Sequence, residues 1–291
     1  MRTKPMWHRL DTLFLFVAAL AISVGAGTLA PPCACAADGE FFFYSPQVGT
    51  GNLSQLKQAA DRFLRDSGTS LSFQPFARFE DLQREFGAHR PAFLVVPDWV
   101  AMDHCLGEAL RPLARPVRDG RVFDRRALVA TNEASSAADI DGGSIAATVP
   151  AAGRGSGSET LARFRREHPD VRVIPVPKDI DALLAVGFGQ VDGAFVSMTQ
   201  FELLAGVNPA LTGSLHEIGY SIATPFPAVY ATQYANAEGI AALRKALENG
   251  GDTESGQKIV RLLGYDGWKP VSEDEPGIPA GRCSDDAEAR P

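Results

Sequence analysis

Short apolar runs and amphipathic runs alternate along the first half of the chain. Residues 40–45 form an apolar, aromatic run that ends at Pro46 and is typical of a buried strand, and Asn52 then opens a run with apolar residues at helical spacing. The same order repeats, and it predicts strands at residues 71–76 and 92–96 with a helix at residues 79–86 between them. Strands that alternate with helices predict an α/β fold with largely parallel pairing.

A second alternating series starts after a small, polar stretch at residues 133–143. Apolar residues 145–149 predict a strand that ends at Pro150, and a helix is predicted to open at Ser156 after a Gly/Ser loop. The remaining predicted elements are strands at residues 122–131, 171–176 and 191–196, helices that begin at Asp179 and near Ser197, strand-like segments within residues 216–234, and helices at residues 238–247 and 255–263. Two such series indicate two α/β lobes.

The loop before the helix at Ser156 is a candidate anion site. Ser156 and Glu159 have capping-box spacing, so the first-turn N–H groups of Gly157 and Ser158 would point back into a loop that also carries Arg154. Free N–H groups and the helix dipole favour a bound anion. Two interpretations fit the pattern: a ligand cradle, or an ordinary strand–loop–helix connection whose glycines only make the turn.

Further candidate ligand residues follow predicted strands. In open α/β sheets, ligands lie outside the carboxyl ends of the strands, and Tyr44, Ser45, Asp98 and Trp99 all occupy such positions. Ser197 holds the same kind of position in the second series. Core packing remains the alternative for Trp99, and a simple helix N-cap remains the alternative for Ser197. Asp98 would oppose a bare dianion in this crevice and would suit a ligand that carries an amine or a neutral hydroxyl species.

Residues 1–36 have the pattern of a secretory signal peptide. A basic start is followed by the apolar run 13–24 and by Ala34-Cys35-Ala36, which fits a cleavage site. An uncleaved membrane anchor is the other interpretation, because residues 13–30 are long enough to span a bilayer. We therefore expect an exported protein.

The formal charge of the whole chain is −7. Loss of residues 1–36 removes three basic residues and one acidic residue, so the remaining 255 residues carry −9. This acidic balance argues against partners such as nucleic acid or anionic lipid. It leaves a small anion as a ligand, because a pocket of backbone N–H groups needs no net positive charge.

Two cysteines, Cys105 and Cys283, follow the predicted cleavage site. In an exported protein a disulfide between them is one interpretation, which would fasten the C-terminal tail to the body. A free structural thiol is the second. The third is a metalloid ligand at Cys105, which stands in the run Met102-Asp103-His104-Cys105.

Motifs of catalysis are missing from the sequence. The loop at residues 153–158 has no lysine for a nucleotide-binding loop and no register that gives G-x-S-x-G. The histidines after residue 36 have no H-E-x-x-H or C-x-x-C partner, which leaves a zinc site unsupported. The sequence thus predicts binding without turnover, with no enzyme activity and no cofactor.

The order of several motifs along the chain is similar to that in a known protein family. Five stretches of the sequence together resemble the phosphate/phosphite/phosphonate-binding (PhnD-like) family of periplasmic solute-binding proteins of ABC transporters. They are the strand AFLVVP, the run LRPLARPVRDG, the segments GSGSETLARFRREH and ALLAVGFGQVDGAFVS, and the closing run GQKIVRLLGYDGWKPVS. Within the second of these segments, Gly189-Gln190-Val191-Asp192 looks like the G-x-V-D turn of the family. The resemblance covers roughly residues 40–275.

The resemblance implies a type 2 periplasmic binding protein fold with two lobes, mixed and mostly parallel sheets, and two crossover strands near residues 128–131 and 220–225. It implies lobe 1 at 37–130 plus 223–275 and lobe 2 at 131–222, between the signal peptide at residues 1–36 and a polar tail at 276–291 that the composition itself predicts. A monomer in the periplasm would bind a small oxyanion between the lobes for an ABC transporter permease. By this resemblance the ligand residues would be Tyr44, Ser45, Arg154, Ser156, Gly157 and Ser158. Trp99 and Ser197 are further candidates from their positions after predicted strands, and Asp98-Trp99 departs from what the resemblance leads us to expect of a phosphonate receptor.

Some members of this family are said to sense arsenite through cysteine and to signal to a histidine kinase. Cys105 therefore supports an alternative hypothesis, in which the chain is a periplasmic sensory binding protein for arsenite or a related oxyanion.

Overall fold

Two sheets flanked by helices make up the described part of the chain, which comprises residues 39–48, 50–102, 106, 109–149, 153–272, 274 and 277 of a computed structural model. The strands are β1 (Gly39–Tyr44), β2 (Leu71–Phe76), β3 (Phe93–Val96), β4 (Arg111–Val117), β5 (Phe123–Thr131), β6 (Ser144–Ala147), β7 (Arg172–Pro175), β8 (Gly193–Ser197), β9 (Leu215–Pro225), β10 (Ala228–Ala231) and β11 (Gly267–Pro270). The α-helices are α1 (Thr50–Asp66), α2 (Phe79–His89), α3 (Asp98–Ala101), α4 (Ser156–Glu167), α5 (Asp179–Gly187), α6 (Met198–Val207), α7 (Pro209–Thr212), α8 (Ala237–Glu248) and α9 (Glu254–Leu263).

Each sheet belongs to one lobe. The six-stranded sheet of the first lobe has the order β11-β4-β10-β3-β1-β2, and the five-stranded sheet of the second lobe has the order β7-β6-β8-β5-β9. Parallel pairing joins β1 to β2 and β3, and β6 to β7 and β8, where helices connect successive strands. The other strands pair antiparallel, so both sheets are mixed. The predicted two-lobe α/β fold is confirmed.

Buried apolar residues explain why the central strands form. All four residues of β3 are buried, as are the last four of β1, which matches the continuous apolar runs of strands covered on both faces. Helix α1 packs on β2 and α9, and helix α5 packs on β8. One hydrophobic core lies in each lobe, and a third cluster of buried residues contains side chains of both lobes, including Trp99, Leu128 and Phe164.

The passage between the lobes differs from the prediction. The predicted boundaries at residues 130 and 223 fall inside β5 and β9, which pair with each other and lie wholly in the second sheet. The chain therefore passes between the two lobes at residues 118–122 and 226–227. The reason is that β5 and β9 share one long antiparallel ladder, from the pair Phe123–Pro225 to the pair Thr131–Leu215.

Within the described residues, no helix combines the length and the apolar character needed to cross a membrane. The predicted signal peptide, at residues 1–36, lies outside the described residues. So does the predicted tail at residues 276–291, apart from Gly277.

Candidate functional site

A cavity of about 290 Å³ lies between the two lobes. The first lobe lines it with residues that follow β1 and β3, among them Ser45, Gln47 and Trp99. The second lobe lines it with residues at or after the carboxyl ends of β6, β7 and β8, among them Thr148, Asp179 and Ser197. This placement agrees with the rule that ligands of open α/β sheets lie outside the carboxyl ends of parallel strands.

A buried ion pair lies at the second-lobe side of the cavity. Arg126 of β5 is 7% exposed, and its Nη1 and Nη2 donate to the two carboxylate oxygens of Asp179 at 3.0 and 2.8 Å. Nη2 also donates to the hydroxyl of Thr148 at 3.1 Å and to the carbonyl of Phe195 at 3.0 Å. Burial lowers the pKa of Arg126, but Asp179, Asp124 and Asp98 together outweigh that effect and the pKa is raised overall. The guanidinium thus stays charged.

Asp179 has partners from both lobes. Its carboxylate accepts hydrogen bonds from the Thr148 hydroxyl at 2.7 Å, from the Ser197 N–H at 3.1 Å and from Gln47 Nε2 of the first lobe at 3.0 Å. Gln47 Oε1 accepts in turn from the Asp179 N–H at 3.4 Å. Because Asp179 is the first residue of α5, Gln47 acts as a cap supplied by the opposite lobe.

The first turn of α4 lies against this pair. A Cβ placed on Gly157 would lie 3.3 Å from Cδ of Arg126 and 3.8 Å from its Nε. Arg126 Nε and Ser158 Oγ are both buried, and neither has a hydrogen-bond partner among the described residues. The N–H groups of Gly157 and Ser158 precede the first intrahelical bond, which the Glu159 N–H donates to the Gly155 carbonyl.

Asp98 from the first lobe occupies the start of the same helix. One carboxylate oxygen accepts from the N–H and the hydroxyl of Ser156, both at 2.9 Å, and the other accepts from the Trp99 N–H at 2.7 Å. Gly155 allows this approach: its φ is 95°, and a Cβ there would lie 3.0 Å from Asp98 Oδ2 and from the backbone of Trp99. Burial raises the pKa of Asp98, against the hydrogen bonds from Ser156, which lower it.

The predicted capping box of α4 is wrong. The N-cap is Gly155 rather than Ser156, and it makes no side-chain cap hydrogen bond. Ser156 is the first helical residue, and the group that caps it is the carboxylate of Asp98. The spacing of Ser156 and Glu159 could not reveal a cap supplied by a residue of the other lobe. For Ser197 the structure has the N-cap that was predicted as an alternative, with its hydroxyl accepting from the Gln200 N–H.

The predicted ligand residues lie in two places. Ser45, Trp99 and Ser197 line the cavity. Tyr44 packs edge-on against Trp99 with 6.3 Å between ring centroids, and burial raises its pKa to about 12. The cavity lining does not include the loop and helix residues Arg154, Ser156, Gly157 and Ser158, of which Arg154 is exposed. The binding role of all eight residues stays a prediction.

Sequence reasoning missed Arg126, Asp179, Thr148 and Gln47 as site residues. A signal for Arg126 was present, because two adjacent arginines in the strand FDRRALVAT must point to opposite faces and one of them must face inward. Asp179 was assigned only to a helix start. Nothing in the sequence connects it with Arg126, which is 53 residues away.

The cysteine predictions are not tested, since Cys105 and Cys283 lie outside the described residues. Among the described residues there is no group of three or more His, Cys, Asp or Glu residues that could hold a metal ion.

Solved structures with the same fold include a chloride complex, a component of a phosphonate transporter and a methylphosphonate complex. A Xanthomonas citri protein bound to chloride has a TM-score of 0.62 at 12% identity, over 80% of this chain and 92% of that one. The binding-protein component of an ABC phosphonate transporter from Pseudomonas aeruginosa has a TM-score of 0.60 at 14% identity, over 80% and 81%. PhnD1 from Prochlorococcus marinus, in complex with methylphosphonate, has a TM-score of 0.63 at 11% identity, over 81% and 93%.

These structures are similar to the chain in fold. Their sequence identities are too low to support a statement about function. No curated protein sequence matches the chain. A family model does match: residues 42–275 fit the family described as the periplasmic substrate-binding protein of phosphonate ABC transporters. Since this match spans most of the chain and both lobes, the chain belongs to the phosphonate-binding family of periplasmic substrate-binding proteins of ABC transporters.

Proposed function

We propose that the chain captures a small oxyanion of the phosphonate, phosphite or phosphate class between its lobes and delivers it to the permease of an ABC transporter. Membership of the family supports the transport role and the periplasmic location. The methylphosphonate complex of PhnD1 and the chloride complex of the Xanthomonas protein support an anion as ligand. On this proposal the chain acts as an exported monomer that binds without turnover.

The single observation that carries the proposal is a set of donors around the first turn of α4. Arg126 Nε and Ser158 Oγ are buried without partners among the described residues, and the N–H groups of Gly157 and Ser158 precede the intrahelical ladder. Unmade hydrogen bonds of buried donors are costly, and a charged acceptor would satisfy several at once. The helix N-terminus and the guanidinium of Arg126 favour an oxyanion, and they act against the repulsion of the nearby carboxylates of Asp98 and Asp179.

The ligand would act by shifting the equilibrium between open and closed lobes. Arg126 and Ser158 belong to the second lobe, while Ser45, Gln47 and Trp99 reach the cavity from the first. An anion that contacts residues of both lobes binds the closed form more tightly than the open form, and this difference sets how far the equilibrium moves. The permease would then recognise the closed form.

The sensory alternative has no comparable support. It depends on Cys105, which lies outside the described residues, and none of the comparisons favours a sensor of arsenite. We therefore carry only the transport function forward.

Isothermal titration calorimetry with methylphosphonate, phosphite and phosphate tests the proposal. We expect at least one of these anions to bind, and we expect Ser158→Pro, which removes both a first-turn N–H and the hydroxyl, to weaken binding about 10- to 150-fold, the range for losing hydrogen bonds to a charged group. Ser158→Ala removes only the hydroxyl and should have a smaller effect.

Ser255→Ala is the control for Ser158→Ala, because Ser255 is also a buried serine in the first turn of a helix but belongs to α9 rather than to α4. Its affinity should equal that of the wild type. An unchanged affinity in Ser158→Pro would remove α4 from the site, and the absence of binding for all three anions would overturn the proposed function.

A further inference from the structure

The carboxylate of Asp98 lies at the start of α4 in the way that a bound anion would. It comes from the first lobe, and one of its oxygens accepts from the N–H and the hydroxyl of Ser156, both at 2.9 Å. The other oxygen accepts from the Trp99 N–H at 2.7 Å, and this bond orients the carboxylate. A helix N-terminus stabilises a negative charge whether the charge belongs to a ligand or to the chain. Asp98 is therefore an anion that the protein supplies to its own helix.

The contact between Asp98 and α4 is close and buried. Asp98 is 8% exposed, and the helix that it begins, α3, packs on α4. Gly155 permits the approach, because a Cβ there would lie 3.0 Å from Asp98 Oδ2 and from the backbone N of Trp99. The φ of Gly155, 95°, is also one that other residues rarely adopt. The two lobes thus meet at a position that only glycine leaves open.

The donors that we assign to the oxyanion belong to the same turn of α4 or lie against it. They are the N–H groups of Gly157 and Ser158, the hydroxyl of Ser158, and Nε of Arg126. Asp98 and Arg126 also attract each other electrostatically. An oxyanion on these donors would share one helix turn and one guanidinium with Asp98, and like charges at such a short distance repel each other. The two anions therefore oppose each other at this turn.

The contact also separates the first turn of α4 from the cavity. Within the described part of the chain, the cavity lining includes Trp99 and Arg126 but none of residues 155–158. Gly157 and Ser158 are buried. An anion in the cavity can therefore reach their N–H groups only when Asp98 withdraws with the first lobe.

We propose that Asp98 competes with the ligand for the first turn of α4 and so inhibits ligand binding. The bonds from Ser156 to Asp98 hold the lobes together without a ligand, and an oxyanion has to displace Asp98 before it binds. This inference rests on the proposed function, since it takes α4 and Arg126 as the anion site, and it adds a regulatory contact to that site. The apparent affinity is then reduced by the fraction of molecules in which the turn is accessible.

Calorimetric titration of the wild type and Asp98→Asn with methylphosphonate, phosphite and phosphate tests the inference. Asparagine keeps a side-chain oxygen that can accept from Ser156, but it has no charge. Coupling between two sites typically changes affinity by about 5- to 150-fold, so we expect Asp98→Asn to bind at least about fivefold more tightly than the wild type. Asp98→Ala removes both oxygens and should also bind more tightly. It decides the matter if Asp98→Asn does not fold.

Asp192→Asn is the matched control. Oδ2 of Asp192 accepts from the N–H and the hydroxyl of Ser144 at 2.7 and 3.4 Å, so this pair has the same chemistry as Asp98 and Ser156. Both of its residues belong to the second lobe, and neither lines the cavity. Asp192→Asn removes the same charge from the chain without touching the contact between the lobes, so its affinity should equal that of the wild type.

The outcomes separate the competition from the proposed function. Binding by the Asp98 variants that is equal to or weaker than that of the wild type would overturn the competition and leave the oxyanion function standing. An equal gain in Asp192→Asn would also overturn it, because the gain would then come from net charge alone. The absence of binding of all three anions to the wild type and to both Asp98 variants would overturn the oxyanion function itself.

Discussion

Two first-lobe side chains cap two second-lobe helices, and they do so with different chemistry. Asp98 presents a carboxylate to the first residue of α4, with both hydrogen bonds to Ser156 at 2.9 Å. Gln47 presents an amide to the first residue of α5, accepting from the Asp179 N–H at 3.4 Å. The first contact lies beside Trp99 and the hydrophobic cluster that both lobes share, whereas the second lies in the lining of the cavity.

The charge already present at each helix start explains the difference. Helix α5 begins with its own carboxylate, Asp179, which is paired with Arg126, so a second carboxylate there would add repulsion. The first turn of α4 has no acidic residue before Glu159, so its partial positive charge is free to attract a carboxylate from outside. The comparison teaches that the opposite lobe caps both helices, with an amide where the helix already carries a carboxylate and with a carboxylate where it does not.

The largest expected effect comes from breaking the ion pair at α5. Arg126→Ala would leave Asp179 charged, fully buried and without its counter-ion. Removal of one partner of a buried pair typically costs about 3–5 kcal/mol, so we expect the free energy of unfolding to fall by about that amount in a urea titration.

The neighbouring arginine provides the control. Arg125 points to the exposed face of the same strand, where it pairs with Glu217. An exposed ion pair contributes at most about 1 kcal/mol, so Arg125→Ala should change stability by no more than this. Equal losses of stability in Arg126→Ala and Arg125→Ala would mean that the buried ion pair at α5 stabilises the fold no more than the exposed pair does.

A smaller effect is expected from a side chain placed between Asp98 and α4. Gly155→Ala puts a Cβ 3.0 Å from the backbone of Trp99 at a φ of 95°, so either the local backbone is strained or the lobes move apart. A conformation this unfavourable costs about 1–3 kcal/mol. We expect a loss of stability in that range, with an increase in the radius of gyration measured by small-angle X-ray scattering.

Gly206→Ala tests whether the effect belongs to the lobe contact. Gly206 lies in α6, and a Cβ there would meet nothing within 4 Å. Alanine favours a helix over glycine by about 1 kcal/mol, so this variant should be slightly more stable. A Gly155→Ala protein with wild-type stability and radius of gyration would show that α4 and Trp99 are not held in contact.

The sequence predicted those parts of the fold that local patterns determine. Strand β2 has the predicted bounds, and α9 begins within one residue of its predicted start, because the periodicity of apolar residues is set by neighbouring positions. Strand β4 was not predicted. Its sequence, RPLARPV, contains two prolines and lacks a strand pattern, and it is ordered by pairing with β10 and β11 on either side.

The candidate site was predicted less completely, for a related reason. The sequence placed Asp98 and Ser156 near a crevice because each follows a strand, yet their contact joins residues 58 positions apart. The contact of Gln47 with Asp179 joins residues 132 positions apart. No spacing rule encodes such pairs, because they arise from how two separately folded lobes meet.

The smallest effect is the dependence of stability on pH in Asp98→Ala, which tests whether the carboxylate that caps α4 is buried. Burial raises the pKa of Asp98 above its unfolded value of 3.8, so the folded state binds the proton more tightly than the unfolded state. The stability that this shift contributes is fully present below pH 3.8 and is lost as the pH rises through the folded pKa. The difference in unfolding free energy between wild type and Asp98→Ala should therefore shrink from pH 3 to pH 7, when measured by denaturant titration at each pH.

Asp139→Ala should give the opposite trend. Hydrogen bonds from the N–H and hydroxyl groups of Ser135 and Ser136 lower the pKa of Asp139, so its contribution is present above pH 3.8 and is lost as the pH falls through the folded pKa. The two differences should run in opposite directions with pH, since one carboxylate is dominated by burial and the other by its donors. Parallel trends in the two variants would mean that Asp98 is solvated rather than enclosed between the lobes, and the contact at α4 would then have to be open in solution.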